Sequence, residues 1–411
     1  MRQTLLATVT SLALASSTAL AAPAPFPKFR VQEVDKSLKI GYAVVAADVN
    51  GDGKKDVVVC DKDRVVWFDN AGGWKLRTIT QGAVKPDNVC IDLYDIDGDK
   101  DLDLALGADW QFNNTKSGGT LQWLEQGSNV DEPWKVHVIL KELPTLHRIR
   151  FADFTGDGRA ELIVSPLKGR NSTQQNNFTD AGTQLLAMTI PSDPKGGKWE
   201  SQVVTETLHV NHNVHPCPLD EAKKPTLLTA SYEGVWAWNR DGSGKWTGRH
   251  VGEGHQDDPK GSRGSSEVRF GRLKGGRPFV VTVEPFHGNA AVVYTQGSDP
   301  KGLWTRTVLD EQIKWGHALA CVDLDGDGGD EIVLGFRDPL PGPKGPGVNV
   351  YRAADPAAQQ LQWDKHVIED KGVATEDLTV ADFNDDGRLD IVAVGRATGN
   401  VRIYWNEGPS Q

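Results

Sequence analysis

Short apolar runs alternate with polar turns along nearly the whole chain, and no long helical period interrupts them after the first two dozen residues. One unit recurs: an apolar strand, an acidic turn and a second apolar strand. It is plain in AADVNGDGKKDVVV from Ala46, DLYDIDGDKDLDLAL from Asp92, FADFTGDGRAELIV from Phe151, CVDLDGDGGDEIVL from Cys321 and VADFNDDGRLDIVAV from Val380. Two degenerate copies, CPLDEAKKPTLLTAS and FGRLKGGRPFVVTVE, fill the long gap between the third and fourth of these. They carry Pro218 and Gly271 where the first acid is expected. The anchors are then residues 48, 95, 153, 218, 271, 323 and 382, and self-similarity at this period marks a repeat architecture.

A further strand follows six of the seven units and opens on tryptophan: Trp74, Trp134, Trp199, Trp246, Trp304 and Trp363. The seventh unit has no such strand, but FRVQEV from Phe29 to Val34 lies at the other end of the chain. An N-terminal strand that completes the last blade leaves no edge unpaired. The expectation is an all-β, seven-bladed β-propeller of four-stranded antiparallel blades, occupying residues 22–411 as one domain. The regular placement of the tryptophans argues for packing between blades over sugar stacking.

The acidic turns place oxygen ligands at positions one, three, five and nine, with a backbone carbonyl at seven. Hard oxygens from one short loop suit calcium, and glycine permits the curl. The ligand sets are Asp48, Asn50, Asp52 and Asp56; Asp95, Asp97, Asp99 and Asp103; Asp153, Thr155, Asp157 and Glu161; Asp323, Asp325, Asp327 and Glu331; and Asp382, Asn384, Asp386 and Asp390. These loops hold 20 of the 56 acids, a crowding that up to five structural Ca2+ ions would relieve. Formal net charge is −11, which disfavours nucleic acid and anionic membrane as partners. Residues 1–21 read as a secretory signal, with Arg2, an apolar run and Ala19-Leu20-Ala21 as cleavage site, so the mature chain is expected to be secreted, or periplasmic in a bacterium. A monomer is expected.

Of four cysteines, Cys60 ends the second strand of blade one and Cys90 precedes the first strand of blade two. That geometry predicts a Cys60–Cys90 disulfide. Cys217 and Cys321 are expected to be free and buried.

In this fold the residues before each first strand and after each second strand share one face. Six residues before each anchor stand Tyr42, Val89, His147, His212, Ser265, His317 and Glu376. The ends of the second strands add Trp110, Lys168, Tyr232, Glu284, His287, Arg337 and Arg396. Candidate proton-transfer or metal residues are thus His147, His212, Tyr232, His287 and His317; candidate substrate-binding residues are Lys168, Glu284, Arg337, Glu376 and Arg396. HVNHNVH, with His209, His212 and His215, is a candidate catalytic transition-metal site, with hydrogen-bonded loop histidines as the equal alternative. His, Tyr, Arg and Lys together suit proton abstraction beside a carbonyl followed by β-elimination.

The repeats resemble the FG-GAP/VCBS repeats of integrin-type and bacterial propellers, which implies the fold and the calcium. Residues 262–294, with Glu284 to Asn289 (EPFHGN) as their most specific part, and residues 316–338 resemble the propeller domain of aldos-2-ulose dehydratase. That resemblance implies elimination on a keto-sugar. Secreted propeller polysaccharide lyases imply, equally, a uronate-containing glycan as carbohydrate substrate. The alternative is a non-catalytic glycan- or protein-binding propeller.

Overall fold

The structure is a computed structural model that describes residues 25–220, 224–258, 260–339 and 344–409; the expected signal segment lies outside them. These residues form 28 strands in seven four-stranded antiparallel sheets, with one short 3-10 turn at Gln174–Asn176. Blade one is Gly41–Ala47, Asp56–Asp61, Arg64–Asp69 and Lys75–Gln81, and blades two to six repeat that order. In blade seven the N-terminal strand Pro27–Asp35 pairs antiparallel with Val401–Pro409, the last strand of the chain, and closes the ring.

The second strand of a blade is packed on both faces by neighbouring blades. Asp56–Asp61, Asp103–Ala108, Glu161–Pro166, Thr226–Ser231, Glu331–Phe336 and Asp390–Gly395 are buried at every residue. This is why they read as unbroken apolar runs, whereas a strand with one wet face alternates. The outer-strand tryptophans seat on the preceding blade. Trp246 meets Phe154 edge-on, Trp363 meets Phe279, and Trp74 lies against Phe383 and Trp405 of blade seven. A buried tryptophan removes roughly 200 Å² from water, worth up to about 5 kcal/mol at 25 cal/mol/Å².

Two expectations are corrected. The anchor of blade five is Arg272, one residue later than Gly271. In every blade the residue after the anchor is a buried apolar plug: Val49, Ile96, Phe154, Leu219, Leu324 and Phe383, and in blade five this is Leu273. Ser266, not Ser265, therefore stands six before that anchor. Cys60 and Cys90 are free thiols rather than a disulfide. Cys90 pairs opposite Gly107 in its own blade, and its sulfur lies where a Cβ on that glycine would be, 2.6 Å away. The sulfur thus fills a hole in blade two instead of reaching Cys60. Cys217 is buried as expected, while Cys321 is only half-buried and lines the lower channel.

Candidate active site

The seven first strands line the central channel, and the residues six before each anchor form its floor at one mouth. Three of these are histidines held by one repeated device. His147 Nδ1 donates to the carbonyl of His212 (3.1 Å), His212 Nδ1 to that of Ser266 (3.1 Å) and His317 Nδ1 to that of Glu376 (2.6 Å). Each ring is thereby tied to the equivalent residue of the next blade, and its Nε2 is left as the nitrogen with the lone pair. His287, delivered by the turn after the second strand of blade five in a left-handed conformation (φ 51°), places its Nε2 2.8 Å from that of His212. Rings of His147, His287 and His317 pack around His212 with centroids 4.6, 4.6 and 5.0 Å away.

Burial holds the pKa of all four imidazoles well below the ordinary histidine value; the charge of Arg148 pushes all four the same way, and that of Arg337 does so for His212, His287 and His317. They are neutral bases or ligands at physiological pH. One nitrogen from each of His212, His287 and His317 lies within 4.8 Å of the other two. A cation at about 2.1 Å from each would set them roughly 3.4 Å apart, so the Nε2 atoms of His212 and His287, 2.8 Å from each other, would move slightly apart to take it. The backbone carbonyls on Nδ1 of His212 and His317 are the outer partners that metal-bound histidines use. The donor set fits a borderline transition cation such as zinc.

Above this floor lies a cavity of about 660 Å³. On one side Glu376 bridges two arginines, accepting from Arg337 Nη1 and Arg396 Nη1, each at 2.8 Å. Arg337 stacks over Trp315 and Arg396 over Tyr42. Trp110, Phe112 and Phe286 form the apolar wall. Trp315 and Phe112 are large apolar side chains left 42% and 44% exposed at the rim, where rings of a ligand would cover them. Sequence reasoning did not pick out Phe112, Phe286 or Trp315. Trp315 lies eight residues before its anchor, in the turn just ahead of a first strand, so its position alone pointed at the mouth.

Other predicted residues stand elsewhere. Glu284 is turned into blade five, where its carboxylate accepts from Tyr294 Oη (2.6 Å), Thr282 Oγ1 (2.9 Å) and Arg306 Nε (2.9 Å), and it does not line the cavity. Tyr232 sits behind the wall with Leu167, Phe178 and Val210, its hydroxyl 3.3 Å from Asn177 Oδ1. Lys168 is enclosed between the rings of Phe112 and Phe178, 3.6 and 3.5 Å from their centroids, and donates to the carbonyl of Phe112 (2.7 Å). Burial draws its pKa down to about 7. His209 pairs with Glu233 (2.8 Å), and His215 faces a different chamber, so the HVNHNVH histidines do not converge.

The acidic turns share one internal geometry with a single variation. In four of them the first aspartate accepts from the backbone N–H groups of positions five and six, as Asp48 does from Asp52 (3.0 Å) and Gly53 (2.9 Å), and Asp323 from Asp327 (3.1 Å) and Gly328 (3.0 Å), whereas Asp95 accepts from positions four and six, Gly98 (2.8 Å) and Lys100 (3.2 Å). The ninth residue clasps the N–H of the second: Asp56 to Val49, Asp103 to Ile96, Glu161 to Phe154, Glu331 to Leu324 and Asp390 to Phe383. Burial, with neighbouring carboxylates adding to it, raises Asp56 to about 6, Asp103 to about 7, Glu331 to about 8 and Asp390 to about 6. Carboxylate oxygens of Asp95, Asp97 and Asp99, and of Asp323, Asp325 and Glu331, come within 4.8 Å of one another. Lys195 lies 3.0 Å from Asp97 and Arg352 lies 3.3 Å from Asp325, so protein cations already draw toward these oxygens.

Fold and repeats define a seven-bladed β-propeller built from FG-GAP-like repeats: residues 42–106 match the FG-GAP-like repeat model. Its propeller resembles one in particular. Residues 118–297 match the model for the β-propeller domain of aldos-2-ulose dehydratase, and the chain is 27% identical over 300 residues to the aldos-2-ulose dehydratase of Phanerodontia chrysosporium. That alignment covers 67% of this chain and 32% of the relative's length, so the chain spans about a third of that protein. Among solved structures, a virginiamycin B lyase from Staphylococcus aureus superposes with TM-score 0.54 at 10% identity, covering 92% of this chain and 99% of the other. A lectin of Agrocybe aegerita that recognises non-reducing terminal N-acetylglucosamine does so with TM-score 0.51 at 16% identity, covering 82% and 81%. These two likenesses show the fold alone. The sequence relationship supports a carbohydrate-related propeller.

Proposed function

We propose that the chain is a carbohydrate dehydratase or lyase that works by β-elimination. The observation that carries this reading is the meeting of neutral imidazoles and a paired-arginine cluster in one aromatic-lined cavity. Removing a proton beside a carbonyl requires a base that is unprotonated at the working pH. His147 meets that requirement, because its Nδ1–H is engaged on the carbonyl of His212 and its Nε2, which carries the lone pair, exchanges a 3.3 Å contact from Arg148 Nη1 for the substrate proton. The C–H electron pair becomes an enolate, whose oxygen Arg337 and Arg396 stabilise. As the pair returns to form C=C, the β-oxygen leaves with its own bonding electrons and takes the proton from the His147 imidazolium. It departs as water from a keto-sugar or as a sugar hydroxyl from a uronate-containing glycan. His212, His287 and His317 would hold a divalent transition cation, which when bound would polarise the substrate oxygen as a Lewis acid. Trp110 and Trp315 supply faces for sugar rings.

Two further parts of the reading follow from the sequence. The five acidic turns hold structural Ca2+, and the leader over residues 1–21 sends the chain out of the cytoplasm, where it acts as a monomer. The experiment is to incubate the protein, with added zinc or manganese, with a panel of keto-sugars and uronate glycans. Ultraviolet absorbance then follows the new C=C conjugated to a carbonyl or carboxylate. His147→Gln should abolish turnover and Arg337→Met should raise KM. Binding across the panel with no unsaturated product would leave a glycan-binding module instead and remove the enzyme.

A further inference from the structure

The channel contains a second chamber, on the acidic-turn side of the histidine floor. A layer five residues before the anchors divides the two: Arg148, Asn213 and Glu267 are all buried, Arg148 Nη2 lies 3.7 Å from Glu267 Oε1, and Asn213 Nδ2 donates to the other carboxylate oxygen. Beneath it is a cavity of about 310 Å³ whose polar lining is Asp92, Arg150, His215, Arg269, Asp377 and Thr379, with Cys321 beside them. Arg150, His215 and Arg269 stand three before the anchor in blades three, four and five, so three adjacent walls send them in at one level.

Their donors are largely unspent. Arg150 donates Nη1 to the carbonyl of its neighbour Ile149 (2.7 Å) and, among the described residues, has no carboxylate within 4.0 Å. Arg269 donates Nη1 to the carbonyl of Val268 (2.7 Å) and more weakly to Asn213 Oδ1 (3.5 Å), and stands 4.0 Å from Glu267. The His215 ring makes no hydrogen bond to any described group, and burial together with the charges of Arg269 and Arg150 keeps it neutral. The two aspartates in the chamber are occupied at the seams between blades. Asp92 accepts from the N–H of Phe151 (2.7 Å) and Leu93 (3.2 Å), and Asp377 from those of Val44 (3.0 Å) and Leu378 (3.0 Å). Their oxygens thus accept from backbone amides, and both aspartates line the chamber beside the guanidinium groups, whose charges attract them.

We propose that this chamber binds one small oxyanion, phosphate or sulfate, on Arg150 and Arg269 with the N–H of His215 as a third donor. Guanidinium groups present paired N–H donors that match such an anion. Occupied, the site bridges blades three, four and five across the channel. It is independent of the chemistry in the upper cavity.

The test is titration of the whole protein with inorganic phosphate and with sulfate at low ionic strength, followed by calorimetry and by thermal shift. Saturable binding of one ion per chain is expected. Arg150→Gln and Arg269→Gln should each weaken it about tenfold or more, the loss of one charge-assisted contact. His147→Gln, in the upper cavity, should leave it unchanged. No saturable binding, or affinity in both glutamine variants unchanged from that of the unaltered protein, means an adventitious ion only and overturns the proposal. If those variants fail to fold, crystals of the unaltered protein soaked in selenate decide it: an anomalous peak between Arg150 and Arg269 supports the site, and peaks confined to the outer surface overturn it.

Discussion

Glu376 offers the sharpest test of how the upper cavity is held together. Its carboxylate, 3% exposed, accepts from two guanidinium groups at once, and Arg337 is itself only 9% exposed. Replacing it by glutamine keeps the shape and removes the charge, leaving two arginines side by side without a counter-ion. Breaking a buried pair in this way costs about 3–5 kcal/mol. The low end applies, because the Arg396 side chain is 38% exposed and water screens part of its charge. A chain of this size unfolds with an entropy on the order of 0.8 kcal/mol/K, so about 3 kcal/mol lowers Tm by roughly 4 °C. Arg337→Met alone leaves Glu376 paired with Arg396 and should cost about 1 kcal/mol. The double variant should then be more stable than the sum of the singles allows, by about 1 kcal/mol or more, because without Arg337 the neutral glutamine no longer leaves two guanidinium charges repelling each other. Urea denaturation of the four proteins supplies the cycle. Strict additivity, or a cost for Glu376→Gln below about 0.5 kcal/mol, would show that the three charges do not act as a unit.

Other outcomes follow from the same coordinates. Chelation with EGTA should lower Tm and calcium should restore it, each site contributing up to about 2.7 kcal/mol at a hundredfold excess over its Kd; equilibrium dialysis should count up to five ions, and Tm unchanged by EGTA would remove structural calcium. Lys168 has a folded pKa of about 7, below its unfolded value, so the unfolded state binds the extra proton between those two values and stability should rise with pH through that window. Lys168→Met should flatten that slope, and an identical slope in both proteins would place the charge elsewhere. All four thiols should react with a disulfide reagent in denaturant, whereas native Cys60 and Cys90 should stay silent, because burial pushes both thiols up, Cys90 to about 12; finding only two thiols in the denatured chain would restore the bridge. Trp315→Ala should weaken sugar binding by about 1–3 kcal/mol with little change in Tm, since the ring is half-exposed.

What the sequence made legible was whatever the repeat enforces. The apolar residue after each anchor, the acidic turn and the outer tryptophan answer to packing that is the same in every blade, so each blade restates them. Closure by Phe29 to Val34 followed from the missing outer strand of the last unit. Register was lost where restatement stops. In blade five the acids are gone and Gly271 sits beside Arg272, so only burial of Leu273 shows which residue is the anchor.

Side-chain direction was the harder problem. Glu284 and His287 lie three residues apart around one turn, yet the first sends its carboxylate to Tyr294 and Arg306 inside the blade while the second crosses the mouth to His212. Residue type cannot separate them; the partners do. The same holds for His212, just ahead of the strand Asn213–Cys217, and His215 within it, where neighbouring levels of the channel are walled off by Arg148 and Glu267. The histidines at the repeat position behave otherwise. His147, His212 and His317 each bond the carbonyl of the next blade's equivalent residue, so the ring of blades itself orients them. A substitution that shifts one blade by a fraction of an ångström should then disturb every imidazole tied to it. The cavity's chemistry thus depends on closure of the ring as much as on the residues that line it.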